Sequence, residues 1–419
     1  MRIAVVEPAG RGGLIQYAFQ LCRALSAAGA DVTLYTSRDY ELDALPHPFR
    51  LDRRLRLWDP KADEAAPGPW RRLLRRAGRA LRHYREWARL VLHLARTRPD
   101  VVQLGDIRFP TDLLCVLALR AAGLRVSDVC HNVHPFAGGR GGGMPRRSPW
   151  GRLAFGLLYR CCAVVFVHFE SNRRALLATY AVPERRVATI PHGDESLFEE
   201  LREDGYGPED VRAELGLSAD DPAILLLGTL TAYKGVDRLL RAFARVVAEV
   251  PRARLVVAGF PAPDFDVAGA HALVRTFHLG SSVRIVPRYV ESPRVAAWME
   301  AARVAVFPYR AVYQSGAVIL AQTLGVPVVA TNVGAMAEEV QDGRTGLLVP
   351  PDDEPALAAA LVRLLRDPET AAAMGRRARA HVREAFAWRR VAAAVLLRYE
   401  DVLATSALRA RPGAEKARP

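Results

Sequence analysis

Ser315, Gly316 and Ala317 carry the clearest chemical signal in the 419-residue chain. Residues 307 to 340 read as strand, tight loop, helix, strand, loop, helix, so three successive backbone N–H groups fall at a helix start beside a strand end. Ser315 is a capping residue type, Gly325 suits the left-handed position past the helix end, and Pro327 prevents the helix from continuing. Free N–H groups and the helix dipole together favour an anionic ligand there. An ordinary strand–helix unit with a capped helix has the same pattern. Gly12 and Gly13 follow the strand RIAVV and let a ligand approach the head of a second helix, but they lack the GxGxxG spacing of nicotinamide-type dinucleotide sites. His131 and His134 end the strand in LRVSDVCHNVHPF, on the edge where such sheets bind ligands. The AGGRGGGMPRRS stretch after them reads as a mobile acceptor loop.

The elements that must hold these residues follow a strand–helix alternation. It runs from residue 2, weakens over 196–222, and restarts at AILLLGTLTAYKGVDRLL. The length favours two domains of about 200 residues each. The expected class is α/β, with two Rossmann-like domains facing a central cleft. The expected boundaries are 1–195, 196–385, a last helix 386–406, and a disordered tail 407–419. Residues 70–95 form a long helix with Trp70, Leu81, Trp87 and Leu94 on an apolar stripe and Arg72, Arg79, Arg82, Arg85 and Arg89 opposite. The stripe suits core packing, and the arginine side suits either plain solvent or an anionic membrane surface, at about 1 kcal/mol per basic residue before screening. Nucleic acid fits the helix poorly. The net charge of +14 is consistent with an anionic partner. No apolar run reaches the roughly 20 residues of a membrane span, and MRIAVVEPAGRGG reads as a first strand and not a signal peptide. Cysteines 22, 115, 130, 161 and 162 lie in apolar segments without a CxxC pair, which suits reduced core residues of a cytosolic protein.

The run GTLTAYKGVDRLLRAF, with QSG, LGVPVVATNVGAMAEEV and DGRTGLLVPPDD, resembles the glycogen-synthase-like retaining glycosyltransferases of family 4 type and GT-B fold. The resemblance extends over essentially the whole chain and implies a nucleotide-diphospho-sugar donor, a glycan or lipid-linked acceptor and no metal or other cofactor. It implies a last helix crossing back to the N-terminal domain, while the cysteines and the basic helix 70–95 give the expected location, cytoplasmic and peripheral at the inner face of the membrane. Lys234 matches the lysine that contacts the donor diphosphate, residues 315–317 the loop holding sugar and phosphate, and Gly12 and Gly13 the first-domain glycine loop. His131 matches a histidine near the sugar, and Glu338 ends the GxxxE pattern. The departures are Val312 and Leu320 where the E-x7-E glutamates would stand, and Thr229 where an arginine is common. Gln314 remains as a loop amide for sugar hydroxyls, whereas Gln322 faces away from position 320. Asp264 and Asp266 form a DxD in a loop and read as a decoy. A non-catalytic binding paralogue and a nucleotide-sugar epimerase are the alternatives.

Overall fold

A computed structural model of the chain describes residues 1–55, 69–133 except 106 and 108, and 148–410. His134 and the expected acceptor loop lie outside the described residues, as do the side chains of residues 70–77 and 79. The chain divides into two units, the first made of Met1–Val133, Arg147–Pro191 and Trp388–Pro419, the second containing His192–Ala387.

In the first unit, strands β1 (Arg2–Val6), β2 (Asp31–Ser37), β3 (Arg50–Leu55), β4 (Val101–Leu104), β5 (Val126–Val129), β6 (Val164–Val167) and β7 (Val187–Thr189) form one parallel sheet. Its order is β3-β2-β1-β4-β5-β6-β7. Several of these strands are short and largely apolar, such as VVFV in β6 and IAVV in β1, because helices cover both faces of a parallel sheet. The helices are α1 (Gly13–Ala27), α2 (Pro69–Thr97), α3 (Asp112–Ala121), α4 (Pro149–Cys161) and α5 (Glu170–Thr179). Helix α2 buries Trp87, Leu90 and Leu94 and exposes Arg82, Arg85 and Arg89. Leu81, expected on the buried stripe, is instead 72% exposed.

The C-terminal helix Trp388–Ala410 also belongs to the first unit and extends past residue 406, where the tail was expected to begin. It lies along α1, with the Trp388 ring 5.2 Å from that of Tyr17. The fully buried Tyr399 hydroxyl sits 2.7 Å from Ser127 Oγ and donates to Gln103 Oε1 at 2.5 Å, bonding to two adjacent sheet strands.

The second unit has the parallel strands β8 (Ala223–Leu227), β9 (Arg254–Ala258), β10 (Val283–Val286), β11 (Val304–Phe307), β12 (Val328–Thr331) and β13 (Gly346–Val349) in the order β10-β9-β8-β11-β12-β13. Its helices are α6 (Leu197–Glu200), α7 (Pro208–Glu214), α8 (Val236–Glu249), α9 (Val267–Thr276), α10 (Val295–Glu300), α11 (Gly316–Thr323), α12 (Met336–Glu339), α13 (Glu354–Arg366) and α14 (Pro368–Ala385). One face of the sheet packs against Leu239, Phe243 and Leu361, and the other against Trp298, Met299 and Val318. Phe198, Val211 and Leu217 join that second core, so residues 196–222, where the alternation weakens, fold into the unit. The connections from β8 and from β11 leave in opposite directions along the sheet. The gap between these strand ends is therefore the topological switch point, where open α/β sheets bind ligands.

Candidate functional site

Lys234 and Ser315 both follow strands that flank this switch point. After β8 the chain passes Gly228, at φ +122°, and the exposed Thr229, then makes one 3-10 turn, Ala232–Lys234. Gly235 follows in the left-handed conformation at φ +69°, where any Cβ would collide with the Pro308 carbonyl oxygen. The turn folds the Lys234 side chain back over Gly228, whose added Cβ would lie 2.8 Å from Nζ. Lys234 is 6% exposed, and its ammonium lies 5.3 Å from the centre of the Tyr309 ring. Among the described residues no carboxylate pairs with that ammonium. Burial holds its pKa down at about 8. A buried cation without a counter-charge is costly to the fold and matches an anionic ligand.

After β11, Ser315 caps α11 by accepting from Val318 N–H at 3.3 Å. Its own N–H donates to Glu339 Oε1 at 2.8 Å, so of the three N–H groups expected to face a ligand this one is taken. Gly316 and Ala317 N–H have no acceptor among the described residues and remain as the free pair at the helix start. Glu195 lies against this pair, with Oε1 3.2 Å from the place of a Cβ on Gly316 and His192 just behind. Burial, with Asp194 adding repulsion, pushes the Glu195 carboxyl up to about 8. Burial also raises Glu339 to about 8 against the opposing bond from Ser315, and Glu339 Oε2 is buried without a hydrogen bond. Burial keeps His192 neutral, with its pKa lowered to about 4.

Loop 309–315 is pinned from the segment after β12. Thr331 Oγ1 donates to the Tyr309 carbonyl at 2.6 Å, Gly334 at φ +58° sits tight against the Val312 carbonyl, and Glu339 holds Ser315. Val312 and Leu320 are buried in the core, which explains why apolar side chains replace carboxylates there. Gln322 is fully buried and donates to the Glu339 carbonyl at 3.0 Å. Gln314 is half-buried in the loop, and Glu338 is exposed on α12. Glu339, the next residue, is a carboxylate that holds the loop. Sequence reasoning missed Glu339, Glu195 and Tyr309. The only signals were a second acidic residue in the AEEV turn and the GDE after β7. Asp264 accepts from Ala232 N–H at 3.2 Å and Asp266 caps α9 through Gly269 N–H at 2.8 Å, so both DxD carboxylates have structural work.

In the first unit Gly12 takes φ +89° as the residue before α1, its N–H donating to Glu41 Oε1 at 2.9 Å. A Cβ on Gly12 or Gly13 would meet nothing within 4 Å, so the head of α1 is open. His131 lies just past the end of β5, 6% exposed. Its Nδ1 is 3.3 Å from His168 Nε2, and its ring meets Tyr17 edge-on at 4.8 Å.

Two family models match the chain, Glycosyltransferase Family 4 over residues 11–194 and Glycosyl transferases group 1 over residues 221–367. A D-inositol 3-phosphate glycosyltransferase 2 of Catenulispora acidiphila is 35% identical over 234 residues, covering 54% of this chain and 53% of the relative. The corresponding enzyme of Mycobacterium avium is 33% identical over 228 residues, covering 52% and 53%. The chain thus spans about half the length of the curated relatives it matches. Among solved structures, sucrose-phosphate synthase from Thermosynechococcus elongatus superposes with TM-score 0.72 at 24% identity, over 96% of this chain and 99% of that one. Anabaena HepE in complex with UDP-glucose superposes with TM-score 0.69 at 16% identity, over 97% and 100%. At these identities the structural likeness establishes the fold alone. Taken with the two matched models, it makes the chain a member of the family-4-type glycosyltransferases of the GT-B fold.

Proposed function

We propose that the chain transfers a hexosyl group from a nucleotide-diphospho-sugar to a glycan or lipid-linked acceptor, with retention and without a metal. The observation that carries this reading is the unpaired Lys234 ammonium and the free Gly316 and Ala317 N–H groups on the two sides of one switch point. As the sugar–phosphate bond breaks, negative charge grows on the leaving diphosphate. A preorganised cation and a helix N-terminus stabilise that charge more than the ground state. Thr229 and Gln314 line the same loops and are assigned to donor hydroxyls. Glu338, exposed on α12, is assigned to the donor as well, with Glu195 and the Glu339-anchored loop beside it. Gly12 and Gly13 are assigned to the donor phosphates, facing the acceptor, and His131 to a catalytic role near the sugar. Retention and metal independence rest on the family resemblance, and HepE holds UDP-glucose in its own structure. The transfer is assigned to the cytoplasmic face of the membrane, with the arginine side of α2 on anionic headgroups.

Nucleoside diphosphate release across a donor panel tests the reading. The acceptor arms are short glycans, lipid-linked sugars and the inositol phosphate that the curated relatives' names specify. Turnover with one donor, lost in Lys234→Ala, is expected. Undiminished turnover in that variant removes Lys234 from the mechanism. The replacement of both motif glutamates by buried Val312 and Leu320 favours a second reading, a non-catalytic binding protein. Nucleotide binding by calorimetry with no turnover on any acceptor would select it.

A further inference from the structure

The outer helices of the first unit carry most of the large apolar side chains that the protein leaves in water. Among the described residues, eight of the eleven exposed large hydrophobics lie between Leu81 and Leu157, so the exposure is concentrated in one layer and not scattered. On α3, Leu114, Leu117, Ala118 and Ala121 are all exposed at i, i+3, i+4 and i+7, a stripe that should face a core but faces outward. On α4, Trp150, Leu153 and Leu157 repeat the pattern, with Trp150 79% exposed. The two helices pack side by side, and α2 packs along the other side of α3.

The charge on this layer has one sign. The only acidic residues of α2, α3 and α4 are Glu86 and Asp112. Both are buried and engaged, Glu86 with Arg89 at 2.9 Å and Asp112 with His83 at 2.9 Å. Arg82, Arg85 and Arg89 on α2 and Arg152 and Arg160 on α4 are exposed.

We propose that the α3 and α4 stripes insert into the acyl region of an anionic bilayer while these arginines hold its headgroups. This rests on the membrane part of the proposed function and not on the transfer chemistry. Three features favour lipid as the occupant. The exposed charge is uniformly basic, which complements an anionic leaflet. A symmetric second copy would set arginine against arginine. A soft acyl phase accepts a protruding tryptophan and two leucines without a matching pocket, and tryptophan is favoured at the depth where an apolar body meets polar headgroups.

The test uses the full chain with vesicles of phosphatidylcholine, alone or mixed with phosphatidylglycerol, with and without brominated acyl chains. Brominated anionic vesicles should quench tryptophan fluorescence in the wild type, and Trp150→Phe should remove most of that quenching. Leu153→Ser with Leu157→Ser should weaken partitioning by about tenfold or more, with unchanged circular dichroism. Salt-reversible partitioning with no quenching, unaffected by the serine pair, would overturn insertion and leave electrostatic docking by α2 intact. Absence of vesicle binding, with a concentration-dependent dimer lost in the serine pair, would overturn both and identify a protein interface. None of these outcomes bears on donor turnover, which is read separately.

Discussion

Lys234 sits in a place that costs the fold and suits an anionic ligand. Lowering a lysine pKa from 10.5 to about 8 corresponds to a penalty on the order of 3 kcal/mol for the charged form at neutral pH. Lys234→Met should therefore raise the thermal midpoint of the ligand-free protein while weakening nucleoside diphosphate binding, a combination that a structural lysine would not give. The pH dependence follows from the same groups. Above about pH 8 the free protein loses the Lys234 proton and gains charge on Glu195 and Glu339, and each change opposes an anion. Affinity measured by calorimetry should fall steadily from pH 7 to about 9.5, and Lys234→Met should flatten much of that slope. Glu339 gives a stability signature of its own. Its folded pKa is raised, so its contribution is fully present below the ordinary carboxyl value near 4.5 and is lost as pH rises through about 8. Glu339→Gln keeps an acceptor for Ser315 N–H. It should match wild type in thermal midpoint near pH 5 and exceed it at about pH 8.5. Loop position and residue type single out Lys234 and the 315–317 turn in the sequence, and the fold sets them after the two strands that flank one switch point. That Glu339 anchors the loop was not legible, since successive helical positions point about 100° apart and only packing decides which one turns inward.

Apolar runs and their punctuation foretold most of the parallel strands, because a strand covered on both faces is rich in apolar residues. The prediction failed where that logic lapses. β3 reads RLDRRL, and as an edge strand it carries arginines paired outward to Asp31 and Asp52, so no hydrophobic signal marks it. Leu81 failed in the opposite direction, an apolar residue left in water on α2. The loop between β11 and α11 is the element on which the site depends, and its shape comes from the β12–α12 segment. Gly334→Ala places a Cβ against the Val312 carbonyl at a left-handed φ. It should cost at least about 2 kcal/mol by denaturant unfolding and weaken nucleotide binding together with stability.

On the scale of the molecule, each unit is an open parallel sheet with its own switch point, and the chain's last helix returns to the first unit. Residue patterns gave the two-part organisation and the last helix. They could not show how that helix is tied down, because Tyr399 finds Ser127 and Gln103 more than 270 residues away. Tyr399→Phe leaves those two buried groups short of a partner and should lower the stability of the first unit by about 1–2 kcal/mol, read as a downward shift of its unfolding transition alone. The account's central claim is that the β8–β11 switch point of the second unit is an anion site for a nucleoside diphosphate. Calorimetric titration of wild type and Lys234→Met with a series of nucleoside diphosphates tests it most directly. Saturable binding of at least one nucleotide by wild type and a loss of about tenfold or more in the variant are expected. Equal affinity in the two proteins, with both folded, would contradict it.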